Sequence, residues 1–247
     1  DQTSTVKNIS SEEMELLPVE DLSSVVNMQA GIVAGHFRGG RSDEVSYMID
    51  GIPVNDAYGG VAAVSTLEVE SVKDLEVITG TFNAEYGNAM SGVVNAVTKD
   101  GSNEFHGSVN SAYSTYITDN KRNGEKVYIG LDPFGINSNS DFRFNLSGPI
   151  IKDRLYFFSN FRTQGINGHL NGIRRFNVWN LSNFYDQDSS KWYSENTGDS
   201  AFVPMNKGNY SSLMGKVSLD LGNIRLSWML NNNYSQNSGV NGTMGSW

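Results

Sequence analysis

Hydrophobic and polar positions follow two different spacings along this chain. Beyond residue 104 they alternate. Phe105, Val109, Tyr113 and Ile117 share one parity, and His106, Ser108, Asn110 and Ser114 share the other. Phe142, Phe144 and Leu146 alternate with Arg143, Asn145 and Ser147. Leu155, Phe157 and Phe161 oppose Asn160, Arg162 and Gln164, with Phe158 out of step. Leu213, Val217, Leu219 and Leu221 oppose Ser212, Lys216, Ser218 and Asp220, and Ile224, Leu226, Trp228 and Leu230 oppose Arg225, Ser227, Asn231 and Asn233. Period two over five runs predicts five strands, each with one apolar and one wet face. A membrane barrel and a soluble β-sandwich both produce this alternation. The connections separate them. A long polar segment (118–140) is followed by a tight Gly148–Asp153 turn, then some forty residues (165–209), then Gly222-Asn223 alone. Long and short links in strict turn are the asymmetry of a barrel with long external loops and short periplasmic turns.

The first hundred residues predict a small α+β unit. Ser10 caps a short helix with Glu12 and Glu13 in its first turn, and Pro18 interrupts it. A second helix is expected over residues 19–29, with Leu22, Val25, Val26 and Met28 as its apolar stripe and Gly31 at its C′ position. Residues 45–50 read as a strand turned by Asp50-Gly51, with Pro53 limiting strand pairing beyond the turn. One helical turn at 69–72 leads into a strand at 75–78, and the nearly continuous apolar run 92–99 reads as a strand buried on both faces.

Composition sharpens the division. The 247 residues carry a net charge of -9, but residues 1–100 hold 16 acidic and 5 basic side chains, whereas 101–247 hold 11 acidic and 13 basic. Asparagine rises from 6 to 22 between the same stretches, so the two regions face different surroundings. The acidic balance without a basic stretch excludes a nucleic-acid surface. The absence of cysteine removes disulfides, zinc clusters and thiol nucleophiles. No apolar run is long enough for a transmembrane helix. His36, His106 and His169 lack metal-site spacing, no catalytic arrangement emerges, and no cofactor is implied. Residues 137–141 offer oxygens for calcium but read as a solvated turn.

Four ordered motifs carry a resemblance. They are Phe37-Arg38-Gly39-Gly40-Arg41 with residues 46–54 (SYMIDGIPV), Val69-Glu70-Ser71-Val72 with 75–80 (LEVITG), and 84–95 (AEYGNAMSGVVN) ending at Thr98-Lys99. Together the chain resembles a TonB-dependent outer-membrane receptor. The segment 148–158 (GPIIKDRLYFF) is similar to the Oar-like branch found in Bacteroidota, whereas 78–83 (ITGTFN) departs from the SusC-like pattern. The resemblance implies an α+β plug domain (1–103), a small mixed sheet with short helices, inside a transmembrane antiparallel β-barrel whose first five strands occupy 104–247. The family's barrel has about 22 strands, and five cannot close. The sequence is therefore expected to be part of a longer chain.

The resemblance also implies import of a scarce nutrient, driven by a TonB-type energising protein and the proton gradient. The other expected surroundings are outer-membrane lipid and a surface lipoprotein or another outer-membrane partner. Arg38, Arg41 and Glu85 are the candidates for a polar network between plug and wall, although the same charges fit the surface of a wet plug. Asn55, Asp56 and Tyr58 in one plug apex, and Asn83, Tyr86 and Asn88 in another, are candidate ligand contacts or solvated loop residues. His106, Arg143, Arg162 and Lys216 have lumen parity. Asp50-Gly51 reads as a turn requirement. Two other functions fit the pattern: an outer-membrane scaffold without transport, and a soluble β-rich adhesin.

Overall fold

The computed structural model describes residues 5–17, 19, 21–33, 35–40, 44–54, 67–80, 91–118, 120–131 and 139–239. Strand β1 (Thr5–Ser10) opens the first sheet and runs into α1 (Ser11–Glu15). Ser10 accepts a hydrogen bond from the Glu13 amide while the Glu13 carboxylate accepts one from the Ser10 amide, a reciprocal capping box. Helix α2 (Leu22–Asn27) is capped by Asp21 through the Ser24 amide at 2.8 Å. It is shorter than the apolar stripe suggests, because the Asp21 cap fixes its start. Met28 is its C-cap and is exposed. Gly31 is left-handed (φ 87°) but lies beyond the C′ position. Its carbonyl instead accepts the Arg38 amide, which closes the small hairpin of β2 (Ile32–Val33) and β3 (His36–Phe37).

The rest of the first sheet comes from β4 (Val45–Ile49), β5 (Ile52–Pro53), β6 (Val72–Thr79) and β7 (Gly92–Thr98). A single 3-10 turn at Val69–Ser71 precedes β6. The order is β1-β6-β7-β4-β5, with β4 and β7 parallel and the other pairs antiparallel. Val93, Val94 and Ala96 of β7 are buried on both parities, as a continuous apolar run requires. β1 escapes a pattern search because it is an edge strand in which, over residues 6–10, Ile9 alone is buried.

The second sheet is built from five long strands. The first is β8 (His106–Ser114). After the short hairpin of β9 (Lys121–Arg122) and β10 (Glu125–Lys126) come β11 (Asn139–Ile151) and β12 (Leu155–Ile166). The next connection carries β13 (Asn171–Ile173), β14 (Ser182–Asn183), β15 (Tyr193–Ser194) and β16 (Phe202–Pro204). β17 (Asn206–Asp220) and β18 (Arg225–Gly239) complete the set. Their order, β18-β17-β12-β11-β8, places sequence neighbours side by side. Pro149 does not end β11, which continues to Ile151; the turn falls instead at Lys152–Arg154, where Asp153 is left-handed (φ 60°). Asp141 lies within β11 and so belongs to no solvated turn.

Burial in this sheet is inverted relative to a globular core. On β17, Ser212, Met214, Lys216 and Ser218 are buried, while Leu213 on the other parity is exposed. On β12, Phe158, Asn160 and Arg162 are buried. Exposed Leu226, Trp228 and Leu230 of β18 continue the apolar face. No helix among the described residues is long and apolar enough to cross a membrane, which says nothing against crossing by strands.

The chain divides into two compact units. One comprises Asp1–Ser108, Asn145–Phe161 and Ser212–Asn233; the other comprises Val109–Phe144, Arg162–Ser211 and Tyr234–Trp247. The first unit holds a single hydrophobic core, in which Phe37, Leu22, Val25, Leu75 and Val94 join Phe158 and Met214. That explains why Phe158 is out of step: its parity is the buried one. The second unit holds the loop hairpins and an Asp141-centred ion cluster.

Candidate functional site

The most connected polar site lies inside the first unit, where Lys216 of β17 meets the two ends of the parallel strand pair β4 and β7. Lys216 is 5% exposed. Its ammonium lies 2.9 Å from Asp50 Oδ2, 2.8 Å from Thr98 Oγ1 and 3.1 Å from Asp100 Oδ1. An ammonium has three protons, and three acceptors surround it.

Local chemistry positions each acceptor. Asp50 follows β4 in the left-handed region (φ 50°), and Gly51 continues there (φ 79°), so the chain reverses into β5. That turn aims the carboxylate at the end of β7. Asp50 Oδ1 accepts the Thr98 amide at 2.8 Å, and Oδ2 accepts the Thr98 hydroxyl at 2.7 Å. The Gly51 amide donates to Asn95 Oδ1 at 3.1 Å. Asp100 leaves β7 two residues later. A side chain at Gly101 would collide with the backbone of Phe157 and Gly148, so only glycine lets the chain pass so close to β11 and β12. Asp100 also accepts the Ser218 hydroxyl at 2.8 Å and lies 3.4 Å from the Arg225 guanidinium.

Electrostatics follow from this geometry. Burial pushes the Asp50 carboxyl up, but the hydrogen bonds from Lys216 and Thr98 and the lysine charge outweigh it and hold the group below its ordinary value. A charge-assisted cluster in which each of the three ammonium protons meets an acceptor is the arrangement in which burial of charge is tolerated. Its components can also be separated and solvated, unlike an interlocked apolar contact.

Of the lumen-parity residues, Lys216 therefore enters this cluster. Arg143 and Arg162 meet elsewhere, within the second unit, on one carboxylate: their guanidinium nitrogens lie 2.8 and 2.6 Å from Asp141 Oδ2. His106 is exposed on β8, with Nε2 3.9 Å from Glu104. Arg38 is exposed and left-handed (φ 48°), at the turn after β3. Arg41, Asn55, Asp56, Tyr58, Asn83, Glu85, Tyr86 and Asn88 lie outside the described residues.

Sequence reasoning missed Thr98, Asp100 and Arg225, and read Asp50 only as a turn residue. One signal was available: the chain has two Asp-Gly steps, Asp50-Gly51 and Asp100-Gly101, and both feed Lys216. Asn160, on the buried face of β12, is 0% exposed, and neither amide atom has a hydrogen-bond partner among the described residues.

Comparison with known proteins agrees with this architecture. Residues 1–93 match the family model of the TonB-dependent Receptor Plug Domain. The chain is 42% identical over 125 residues to the TonB-dependent transporter Oar of Myxococcus xanthus, covering 50% of this chain and 12% of that protein. It is 31% identical over 182 residues to the probable TonB-dependent siderophore receptor PirA of Acinetobacter baumannii, covering 63% and 22%. Among solved structures, the ferric enterobactin receptor PfeA of Pseudomonas aeruginosa superposes with a TM-score of 0.59 at 20% identity, over 96% of this chain and 33% of that one. The chain thus spans between an eighth and a third of the proteins it matches. Residues 1–93 thus carry the plug domain of TonB-dependent receptors, and the wall sheet that follows has the fold of the outer-membrane receptors this chain is similar to.

Proposed function

We propose that the protein containing this chain imports a scarce nutrient across the outer membrane, and that the Lys216 cluster anchors the plug to the wall during the cycle. The observation that carries this reading is the three-acceptor latch of Asp50, Thr98 and Asp100 on one wall lysine. A plug that must seal and then rearrange needs contacts that hold specifically and exchange readily with water. Ion pairs meet that need. In this reading a TonB-type protein pulls the segment before β1. Load passes through β6 and β7 to the latch, and the cluster releases and re-forms as the inner-membrane proton gradient is spent.

The identities to Oar and PirA support an importer over a static scaffold, and PirA's description as a siderophore receptor favours an iron-chelate cargo among nutrient classes. The plug-apex residues Asn55, Asp56, Tyr58, Asn83, Tyr86 and Asn88 are proposed cargo contacts. Arg38, Arg41 and Glu85 are proposed members of a second polar network between plug and wall, and His106, Arg143 and Arg162 are proposed to face the lumen. The test is uptake of radiolabelled iron chelates by cells carrying the full-length protein, with and without TonB and with a protonophore. Accumulation that requires both TonB and the gradient is expected. Binding without accumulation would instead identify a scaffold.

A further inference from the structure

The 165–209 connection is not a featureless loop. β13 pairs with β16, and β14 with β15. Most of its polar side chains are tied off locally. Arg174 forms a two-point pair with Asp199 at 2.9 and 2.6 Å. Asn177 and Asn180 both bond to Thr197, the Glu195 carboxylate accepts the Leu181 amide, and the Trp192 indole donates to the Asp186 carbonyl.

Three of the polar side chains left without such a bond line one pocket. A pocket of about 320 Å³ is lined by Ile173, Arg175, Asn196 and Ser200. The side chains of Arg175, Asn196 and Ser200 make no hydrogen bond or ion pair among the described residues, although their neighbours do. The surrounding backbone is fixed. Arg175 N–H donates to the Ile173 carbonyl, Gly198 N–H to the Arg175 carbonyl, and Ser200 N–H to the Arg174 carbonyl, all between 2.9 and 3.0 Å. Gly198 is pressed so closely on Arg174 and Arg175 that no side chain fits there. Ser200 is held left-handed (φ 57°), which costs energy in a residue other than glycine and concentrates where a site demands a particular geometry.

We propose that this pocket is a capture site for a small carboxylate-bearing ligand. Arg175 supplies a planar fork that pairs two-point with a carboxylate, Asn196 and Ser200 supply hydrogen bonds to its remaining polar groups, and Ile173 supplies an apolar wall for its body. Asp199 is engaged two-point by Arg174 and also accepts the Ala201 amide, and it makes no ion pair with Arg175. The role of the site as first contact for imported cargo rests on the import reading; the binding itself does not.

The experiment uses the full-length protein purified from outer membranes in detergent, with 4-fluorobenzoate as probe and fluorine NMR line width as readout. Saturable broadening is expected. The neutral analogue 4-fluorobenzyl alcohol should not compete, and inorganic phosphate should compete weakly. Arg175→Gln should weaken binding by at least ~tenfold, the loss expected for one charge-assisted hydrogen-bonding group. Arg175→Lys should recover part of it, and Lys191→Gln, elsewhere on the same connection, should leave it unchanged. No saturable binding to the unmutated protein, or equal binding to Arg175→Gln and the unmutated protein, would overturn the proposal. Either result leaves TonB-dependent uptake to be judged separately.

Discussion

The plug sheet and the wall sheet solve burial in opposite ways. In the plug, β6 and β7 bury Leu75, Val77, Val93, Val94 and Ala96, and their charged residues lie outside the core. In the wall, β12 and β17 bury Asn160, Arg162, Ser212, Lys216 and Ser218, while Leu213, Leu226, Trp228 and Leu230 face outward. An apolar outer face is stable only where the surroundings are hydrocarbon. A polar inner face is stable only where each group finds a partner or water. The plug is thus held together by exclusion of water, whereas its attachment to the wall combines the apolar contacts of Phe158 and Met214 with matched charges around Lys216. The charged part is the more readily exchanged with water.

That contrast can be broken in several places. The largest effect is expected from Lys216→Ala, which leaves Asp50 and Asp100 without their shared cation. Removing one partner of a buried pair costs about 3–5 kcal/mol, and the loss should appear as faster proteolysis of the plug in the full-length protein. The paired change Lys216→Met with Asp50→Asn should recover part of it. Next, Leu230→Arg on the outer wall face should destabilise the barrel by ~2–4 kcal/mol if it lies near the bilayer midplane, read from its folded fraction in urea titrations with lipid vesicles. The comparable change at exposed Leu16 of the plug should stay within about 0.5 kcal/mol. An inverse result at these two positions would reverse the assignment of faces.

Asn160→Leu tests the inner face from the other side. The amide is fully buried and has no partner among the described residues, so removing it should stabilise the protein by roughly 1–3 kcal/mol, the cost of an unsatisfied buried group. The mildest perturbation is acid. Because the folded-state value of Asp50 is depressed, its contribution is complete above the unfolded carboxylate value of about 3.9. It declines below that and is gone once pH has fallen through the lower folded value. The protection factor of the Thr98 amide, whose hydrogen bond Asp50 accepts, should fall in that window and stay constant from neutral pH down to its upper edge.

How far these features can be read from sequence depends on their range. The five wall strands, the capped α1, the Asp50-Gly51 turn and the buried β7 depend on neighbours a few residues apart, and all are present. The early end of β11 expected at Gly148-Pro149 does not occur, because strand pairing carries the chain on to Ile151. β1 carries too few apolar residues to stand out. Lys216 can be placed on the wet face by parity alone. Its partners lie 118 and 166 residues away, and no local pattern joins them.

The two Asp-Gly steps have a consequence for the lifetime of the protein. Such steps are chemical weak points: an unhindered glycine nitrogen attacks the aspartyl carbon, and the resulting succinimide opens to isoaspartate. Here the Gly51 nitrogen is engaged by Asn95, and both Asp50 oxygens are occupied by Thr98 and Lys216. Asp100 is held by Lys216, Ser218 and Arg225, while Gly101 is wedged against neighbouring backbone. The lysine that joins plug to wall therefore also shelters both aspartyl-glycyl bonds of the chain, and each opening of the cluster would expose them to chemical wear.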